Sequence, residues 1–308
     1  MQTCVVETTD KKYPKALKEA LKHLIASSGP KTLYYRGNWN DFFPANERDP
    51  AAAGKNCLAV VGSRHLTYYG RKATEQLVTE IASLGITIVS GFMFGGDEAA
   101  HSAAVKCGGR TIAVLPCGID VIFPPQHKKL YQDILDNNGL IISEYPEGFK
   151  PTNYSFVQRD RIVAGLCKAV FVTEAALGSG SLITANYAQK FGRKIFALPG
   201  QITSELSKGT IKLIREGAEA VSCANDILSF YKVLLAQRSL GEVGVNQKKS
   251  AEPVTLEGKI ISQLRREPMK ADEMARLFAI PVAQLGTTLS LMEMKSQITN
   301  QSGKYYIN

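Results

Sequence analysis

The sequence lacks the features that mark secreted, membrane-bound or metal-stabilised proteins. Nowhere in its 308 residues does an uncharged apolar run reach the roughly 18 residues that a membrane-spanning helix needs. The first residues do not form a basic segment followed by an apolar block, so we expect no secretory signal. No two of the six cysteines have the spacing of a zinc site or a redox pair, and the four histidines form no cluster. These absences predict a cytoplasmic protein with no membrane association, no disulfide and no bound metal.

The charge balance is positive. Lysine and arginine number 37 against 28 aspartate and glutamate residues, which gives a formal net charge of +9. No basic tail accounts for the surplus. Such a charge is compatible with a polyanionic partner such as nucleic acid, but many basic proteins simply have a well-solvated surface.

Short apolar runs alternate with amphipathic stretches between residues 57 and 198, which is the pattern of parallel strands joined by crossover helices. The predicted strands are Cys57–Val61, Thr87–Ser90, Thr111–Leu115, Leu140–Ser143, Ala169–Thr173 and Ile195–Leu198. The predicted helices are Arg71–Leu84, Asp97–Lys106, Gln126–Asn137, Ser155–Gly165, with Ser155 as a candidate cap, and Ser181–Phe191. The fold class is therefore α/β, with a doubly wound, mostly parallel, Rossmann-like sheet.

The regular pattern ends near residue 230. Residues 231–252 are polar and contain glycine, which predicts a linker. After it, three helical stripes precede two β-prone pieces separated by a Gln-Ser-Gly turn, the outline of a small C-terminal winged-helix domain. We predict a lead-in segment over 1–56 that packs on the core and contains a short helix and an extended piece. A Rossmann-like domain over 57–230, the linker over 231–252 and the winged-helix domain over 253–308 follow.

Two glycine-containing loops follow predicted strands. Val60–Arg64 comes directly after the first strand, where backbone N–H groups and the positive end of the next helix can bind an anion, and Arg64 adds a guanidinium. The dinucleotide fingerprint G-x-G-x-x-G is absent, and the alternative for Arg64 is a surface ion pair beside a tight turn. Ser90–Asp97 follows the second strand, and we expect Asp97 to cap the next helix or to orient Arg64. In a doubly wound sheet both loops face the same crevice.

Two later segments add cations and hydroxyl groups. Ser155–Arg161, with Lys150 upstream, interleaves basic and aromatic side chains, as a groove for single-stranded nucleic acid requires. The alternative is an amphipathic helix in which Arg159 pairs with an acid, and for Phe156 itself we expect the core. Gly178–Ser181 lies at a predicted helix start and contains no acid, which favours binding an anion over cleaving a bond.

In order and spacing, these motifs resemble the DNA-processing protein A (Smf) family. The most specific matches are Val61–Arg64, Gly118–Pro124, Ser143–Pro146, Arg161–Leu166, Ser179–Ala185 and Phe196–Gly200. The resemblance covers nearly the whole chain. It implies a cytoplasmic homodimer that binds single-stranded DNA, protects incoming DNA and loads the RecA recombinase onto it in natural transformation. It also implies no catalysis and no cofactor.

The resemblance also implies a DNA pocket. Carried over position by position, its residues are Gly62, Ser63, Arg64, Ser90, Gly91, Gly95, Asp97, Arg159, Arg161, Ser179, Gly180 and Ser181, to which the basic and aromatic segment adds Lys150 and Phe156. The chain departs from the family at Phe94, where arginine is usual, and at Asp160, where asparagine is usual. A basic residue that some members carry is Asn153 or Tyr154 here. DNA affinity is therefore expected to depend more on Arg64, Lys150 and stacking side chains.

Two other interpretations stay open. One is a nucleotide-phosphate ribohydrolase-like enzyme, or a nucleotide-binding sensor, on the same core. Leu177–Ser181 lacks the glutamate that such an enzyme places over the sugar. The other is a transcription regulator that reads duplex DNA through the winged helix, although Pro281–Met294 offers few base-reading side chains apart from Gln284.

Overall fold

The chain divides into two compact units, Met1–Leu240 and Gly241–Asn308, which are described separately. The computed structural model describes residues 2–24, 29–44, 56–231, 256–264, 268–278, 280–295, 297–301 and 303–307. Apart from Tyr231, the predicted linker over 231–252 lies outside these residues.

A nine-stranded sheet forms the first unit within the residues described. Its strands are β1 (Cys4–Glu7), β2 (Thr32–Gly37), β3 (Cys57–Val61), β4 (Thr87–Ser90), β5 (Thr111–Leu115), β6 (Leu140–Ser143), β7 (Ala169–Val172), β8 (Lys194–Ala197) and β9 (Glu219–Ala220). Their order across the sheet is β1-β2-β6-β5-β4-β3-β7-β8-β9. From β6 to β9 all neighbours are parallel, whereas β1 pairs with β2, and β2 with β6, in antiparallel ladders. The predicted mostly parallel α/β sheet is confirmed, and β1 and β9 are strands that the sequence patterns did not predict.

Helices cover both faces of this sheet, which explains why every residue of β3 through β7 is buried. One face packs against α3 (Tyr68–Ser83), α4 (Gly96–Lys106), α5 (Lys128–Asp136) and α9 (Ala224–Tyr231). The other face packs against α1 (Lys15–Leu21), α2 (Trp39–Phe42), α6 (Asn153–Leu166), α7 (Ser181–Lys190) and α8 (Lys208–Arg215). The strand order reverses between β3 and β7, so the loops that follow these two strands diverge and leave a crevice at the carboxyl edge of the sheet.

Two helices begin two or three residues earlier than the sequence predicted, because threonines cap them. The Thr67 hydroxyl accepts a hydrogen bond from the Gly70 N–H at 3.0 Å, so α3 begins at Tyr68. The Thr152 hydroxyl accepts one from the Ser155 N–H at 3.1 Å, so α6 begins at Asn153. The prediction that Ser155 caps this helix is therefore wrong. Ser155 is its third residue, and its hydroxyl accepts a hydrogen bond from the Thr152 N–H.

The second unit is a small helical domain with a hairpin. Its helices are α10 (Leu256–Leu264), α11 (Ala271–Phe278) and α12 (Val282–Met294), and its strands are β10 (Met269–Lys270), β11 (Ile298–Gln301) and β12 (Lys304–Ile307). Ile260, Met274, Leu285 and Leu289 are fully buried between them, and the strands pair in the antiparallel order β10-β12-β11. The three predicted helices and the terminal hairpin are present, as a winged helix requires. In the described parts of both units no single helix is long and apolar enough to cross a membrane; α11 and α12 meet those criteria only as a bent pair.

Candidate functional site

A cavity of about 500 Å³ opens at the carboxyl edge of the sheet. Its wall combines residues 61–65 after β3, Gly91, Met93 and Asp97 after β4, one side of α6, and residues 176–184 around the start of α7. This is the point at which the strand order reverses, where a doubly wound sheet is expected to hold its ligand. Segments from three different strands thus meet in one place.

Glycines allow the loop after β3 to touch both the end of β7 and the loop after β4. A Cβ at Gly62 would lie 2.3 Å from the Thr173 hydroxyl oxygen, and a Cβ at Gly96 would lie 2.7 Å from the backbone of Gly62. The Gly96 N–H donates to the Ser63 carbonyl at 3.0 Å, and Gly95 has a φ of +76°, which favours glycine. The loop after β4 is therefore held directly against the loop that carries Arg64.

Arg64 is a solvent-exposed cation of the cavity. Its guanidinium carbon lies 5.3 Å from the centroid of the Phe156 ring, which in turn packs against Phe123 at 5.8 Å between centroids. Within the described part of the chain Arg64 forms no ion pair, so the alternative of a surface ion pair is not observed. The expectation that Phe156 faces the core is wrong, since Phe156 lines the cavity. A guanidinium over an aromatic ring keeps its N–H groups available for an anion.

A second guanidinium, that of Arg159, lines the same cavity but is only 5% exposed. Its Nη1 donates to the Val114 carbonyl at 2.8 Å and to the Gly91 carbonyl, and its Nε lies 3.1 Å from Asp160 Oδ1. A Cβ at position 91 would lie 2.2 Å from Nη1, so only glycine leaves room for this arrangement. Arg159 is thus fixed by the ends of β4 and β5 as well as by its neighbour in α6.

Two carboxyl groups stand beside these cations. Asp97 Oδ2 accepts a hydrogen bond from the Met93 N–H at 3.2 Å, so Asp97 holds the loop after β4 and does not cap α4, where Gly95 occupies the cap position. Burial raises the pKa of Asp97, and the Arg159 charge opposes that shift. Burial likewise raises the pKa of Asp160 to about 6, against the Arg159 charge and with a further rise from Asp97. Among the residues described, no three His, Cys, Asp or Glu side chains lie close enough to hold a metal ion.

The loop before α7 presents amide and hydroxyl groups. The Ser179 and Ser181 hydroxyl oxygens are 2.8 Å apart, and Gly180 is the residue before the first turn of α7. The N–H groups of Gly178 and Gly180 form no hydrogen bond with any residue that the structure describes. A Cβ at either glycine would meet nothing within 4 Å. Free amides at the positive end of a helix form an anion-binding site.

Glu174 holds the loops together, and the sequence analysis missed it. Its carboxylate accepts hydrogen bonds from the Thr67 N–H at 2.8 Å and the Thr67 hydroxyl at 2.6 Å, and its carbonyl accepts one from the Ser63 N–H at 2.7 Å. Glu174 is 3% exposed and does not line the cavity. No local sequence pattern predicts the contact between Glu174 and Thr67, because the two residues are 107 positions apart. An acid inside an otherwise apolar strand end was the one available signal.

Comparison with known proteins agrees with this architecture. A family model described as DNA recombination-mediator protein A matches residues 4–232. The chain belongs to this family. A second model, the DprA winged helix domain, matches residues 247–304. The fold and the family that the sequence motifs suggested are both confirmed.

Named relatives of this DprA-family chain come from several bacteria. Protein Smf of Synechocystis sp. is 33% identical over 324 residues, which cover 96% of this chain and 78% of that protein. DNA processing protein DprA of Streptococcus pneumoniae is 42% identical over 204 residues, which cover 66% of this chain and 67% of that protein. Its X-ray structure matches with a TM-score of 0.65 and 38% identity over 74% of each chain. A structure of DNA processing protein A from Helicobacter pylori, described for its single-stranded DNA binding mode, has a TM-score of 0.62 and 31% identity over 77% of this chain and 97% of that one.

The cavity at the carboxyl edge of the sheet contains most of the site residues predicted from the sequence. Those that line it are Gly62, Ser63, Arg64, Gly91, Asp97, Phe156, Arg159, Ser179, Gly180 and Ser181. Ser90, Gly95, Lys150 and Arg161 do not line it. Ser90 is buried with its hydroxyl on the Val60 carbonyl at 2.6 Å, and Lys150 is exposed away from the lining. Both terminal nitrogens of Arg161 pair with the Glu144 carboxylate, at 2.6 and 2.9 Å, so Arg161 holds α6 to the end of β6.

The glycines of the site are expected to differ in how much they contribute to the stability of the first unit. A matched pair of alanine variants measures this difference. We expect Gly62→Ala to lower the free energy of unfolding by about 1–3 kcal/mol, because its Cβ would overlap Thr173. We expect Gly180→Ala to stay within about 0.5 kcal/mol of the wild type, because its Cβ meets open space. Urea unfolding followed by the fluorescence of Trp39 checks both. Trp39 is the chain's single tryptophan and is buried in the first unit. Equal losses for the two variants would contradict the close approach of Gly62 to Thr173.

Proposed function

We propose that this cavity binds the phosphate backbone of single-stranded DNA. The observation that carries the proposal is the convergence, at one crevice, of the exposed Arg64 guanidinium with the free amides of Gly178 and Gly180 at the start of α7. Cations and helix-terminal amides bind phosphate without regard to base sequence. The family assignment and the single-stranded DNA binding of the Helicobacter relative support the same ligand.

Aromatic side chains beside the cavity support a single strand over a duplex. Phe156 lines the cavity, and its neighbour Tyr154 is 69% exposed on the first turn of α6. Phe94, in the loop after β4, is partly exposed with its ring against His127. Unpaired bases stack on such rings, whereas duplex DNA keeps its bases paired and stacked internally. Lys150, exposed ahead of α6, is a further contact that this proposal includes for the flanking backbone.

A cross-linking experiment tests where the DNA lies. Oligothymidylate that carries a photoreactive thymine analogue is irradiated with the protein, and the linked peptides are identified by mass spectrometry. We expect cross-links in segments 61–65, 91–97, 150–163 and 176–184, which surround the cavity. Cross-links confined to other segments of the first unit, or to the second unit, would place the DNA elsewhere.

The recombination role is the second part of the proposal. As a recombination mediator, the protein would act as a cytoplasmic homodimer that protects incoming single strands and loads RecA onto them during natural transformation. The family description and the DNA-binding cavity support it. Residues 57–230 would carry the DNA, while 253–308 would form an accessory module. The rate at which RecA assembles on single strands coated with single-strand-binding protein tests this role, and we expect this protein to raise it. Sedimentation equilibrium tests the dimer.

We propose further that the cavity is not catalytic and needs no cofactor. Its two acids, Asp97 and Asp160, are engaged by the Met93 N–H and by Arg159, and the Glu174 carboxylate is bound to Thr67 outside the lining. A ribohydrolase-like enzyme needs a carboxylate available over the sugar. Incubation with nucleoside monophosphates, followed by chromatography of free bases, separates the two functions. Release of base above the buffer control would favour the enzyme.

A further inference from the structure

The cavity proposed to bind DNA contains negative charge of its own. Asp97 and Asp160 line it together with Arg64 and Arg159, so the formal charges of these four side chains cancel. A phosphate that enters therefore meets carboxylates as well as guanidinium groups. The Asp97 carboxylate is held within its own loop by the Met93 N–H. Asp160 lies on α6 and has no such role, so its position in the cavity needs a functional explanation.

The contacts of Arg159 show that Asp160 is not needed to hold it. Arg159 Nη1 is fixed by the carbonyls of Gly91 and Val114 independently of Asp160. Only Nε faces the Asp160 carboxylate, at 3.1 Å, and an amide oxygen at the same place accepts the same hydrogen bond. The negative charge at position 160 is therefore separable from the geometry of the site.

Low exposure makes this charge costly beside an anion. The Asp160 side chain is only 14% exposed, so water screens its repulsion of a bound phosphate incompletely. Such a carboxyl group lowers the repulsion by taking up a proton. Burial raises the pKa of Asp160 to about 6, so this carboxyl group can take up a proton close to neutral pH.

We propose that Asp160 sets the affinity of this cavity for single-stranded DNA, and that DNA binding is coupled to proton uptake by the Asp160 carboxyl group. The inference rests on the proposed function. Bound phosphate disfavours the charged form, so the pKa of Asp160 is higher in the complex than in the free protein. Affinity is then greatest below the free pKa of about 6, falls as the pH rises through the interval between the free and bound values, and is level above it.

Other groups around the cavity titrate or carry charge and must be separated from Asp160. Arg159 on α6, Asp97 on α4 and Arg64 after β3 all act on the pKa of Asp160. Burial raises the pKa of Tyr187 on α7, and the Asp160 charge raises it further. His65 also lines the cavity. The test is therefore carried out in a His65→Asn background, so that no histidine of the cavity wall contributes to the comparison.

The test is a titration of oligothymidylate, whose bases and phosphodiesters do not ionise in this range, from pH 5.5 to pH 8. The label is a dye that does not titrate in this interval. We expect binding to His65→Asn to weaken about fivefold between the two ends. We expect His65→Asn with Asp160→Asn to bind at pH 8 about as tightly as the single variant does at pH 5.5, with a nearly flat profile. Asp133→Asn, which removes an equally charged, half-buried side chain of α5 outside the cavity lining, is the matched control and should keep the full pH dependence.

Each other outcome identifies what has failed. Parallel pH profiles with and without Asp160 would overturn the proposal. Weaker binding by the Asp160→Asn variant at pH 8 would also overturn it, because it would show that the carboxylate supports Arg159. Calorimetry in buffers of different ionisation enthalpy measures the protons that the His65→Asn variant takes up when it binds DNA. This measurement leaves Asp160 in place, so it remains valid even if the Asp160→Asn variant does not fold. Uptake near pH 6.5 is expected, and zero uptake or release contradicts it. Absence of oligothymidylate binding by the wild-type protein at every pH would instead refute the proposed function.

Discussion

Replacement of Arg159 by methionine is expected to lower the free energy of unfolding of the first unit by about 3–5 kcal/mol at pH 8. Arg159 is 5% exposed and faces Asp160, so its loss leaves buried carboxyl groups without their cation. The carbonyls of Gly91 and Val114 also lose a donor. Urea unfolding followed by Trp39 fluorescence measures the loss.

The pH dependence of this loss identifies its cause. Without Arg159, the pKa values of Asp97 and Asp160 rise further above their unfolded values, so the folded variant binds more protons than the unfolded chain. Its stability therefore falls as the pH rises, and the deficit should be clearly smaller at pH 5 than at pH 8. Arg71→Met is the control that removes a surface arginine. It breaks a 3.9 Å ion pair between the exposed Arg71 and Glu98 and should cost at most about 1 kcal/mol. A pH-independent deficit for Arg159→Met would point to lost packing instead of uncompensated charge.

Arg64→Ala is expected to weaken binding of single-stranded DNA about tenfold at moderate salt, equally for all base sequences. The side chain is exposed and pairs with no described acid, so its positive charge remains available to a phosphate. The slope of log affinity against log salt should become shallower by about 0.7–1, the share of one phosphate contact. Fluorescence anisotropy titrations of two oligonucleotides of different sequence at several salt concentrations measure both quantities.

Arg110→Ala provides the control for that experiment. Arg110 is exposed and directly precedes β5, so it lies at the edge of the sheet opposite the cavity. Its loss removes the same charge and should change the affinity and the salt slope little. Equal effects of the two substitutions would show that only the overall charge of the protein matters. An unchanged affinity in Arg64→Ala would remove Arg64 from the binding site.

The parts of the fold that the sequence predicted are those governed by local patterns. The uninterrupted apolar runs of β3 to β8 and the glycine-rich loops after them were sufficient to predict a doubly wound sheet and to bring Arg64, Asp97 and Ser181 to one edge. β1 and β9 escaped prediction because they are short and largely exposed, so no burial pattern marks them. The early start of α3 escaped as well, because its Thr67 cap is itself held by Glu174, distant in sequence.

Side-chain partners were the least predictable part of the site. Arg159 and Arg161 stand two positions apart on one helix, yet one lines the cavity and the other pairs with Glu144 at the end of β6. The sequence does not distinguish the two arginines, because only the tertiary structure places Glu144 beside Arg161. The same applies to Phe156, whose apolar ring would suit the core but instead lies beneath a cation at the cavity wall.

Whether the cavity is specific for single strands is tested by comparing the binding of single-stranded and duplex DNA of the same length and sequence to the wild-type protein. Anisotropy titrations across a salt series give the two affinities under identical conditions. We expect tight binding of the single strand that falls steeply with salt and does not depend on base sequence, and far weaker binding of the duplex at every salt concentration. Equal affinities for the single strand and the duplex would contradict this expectation.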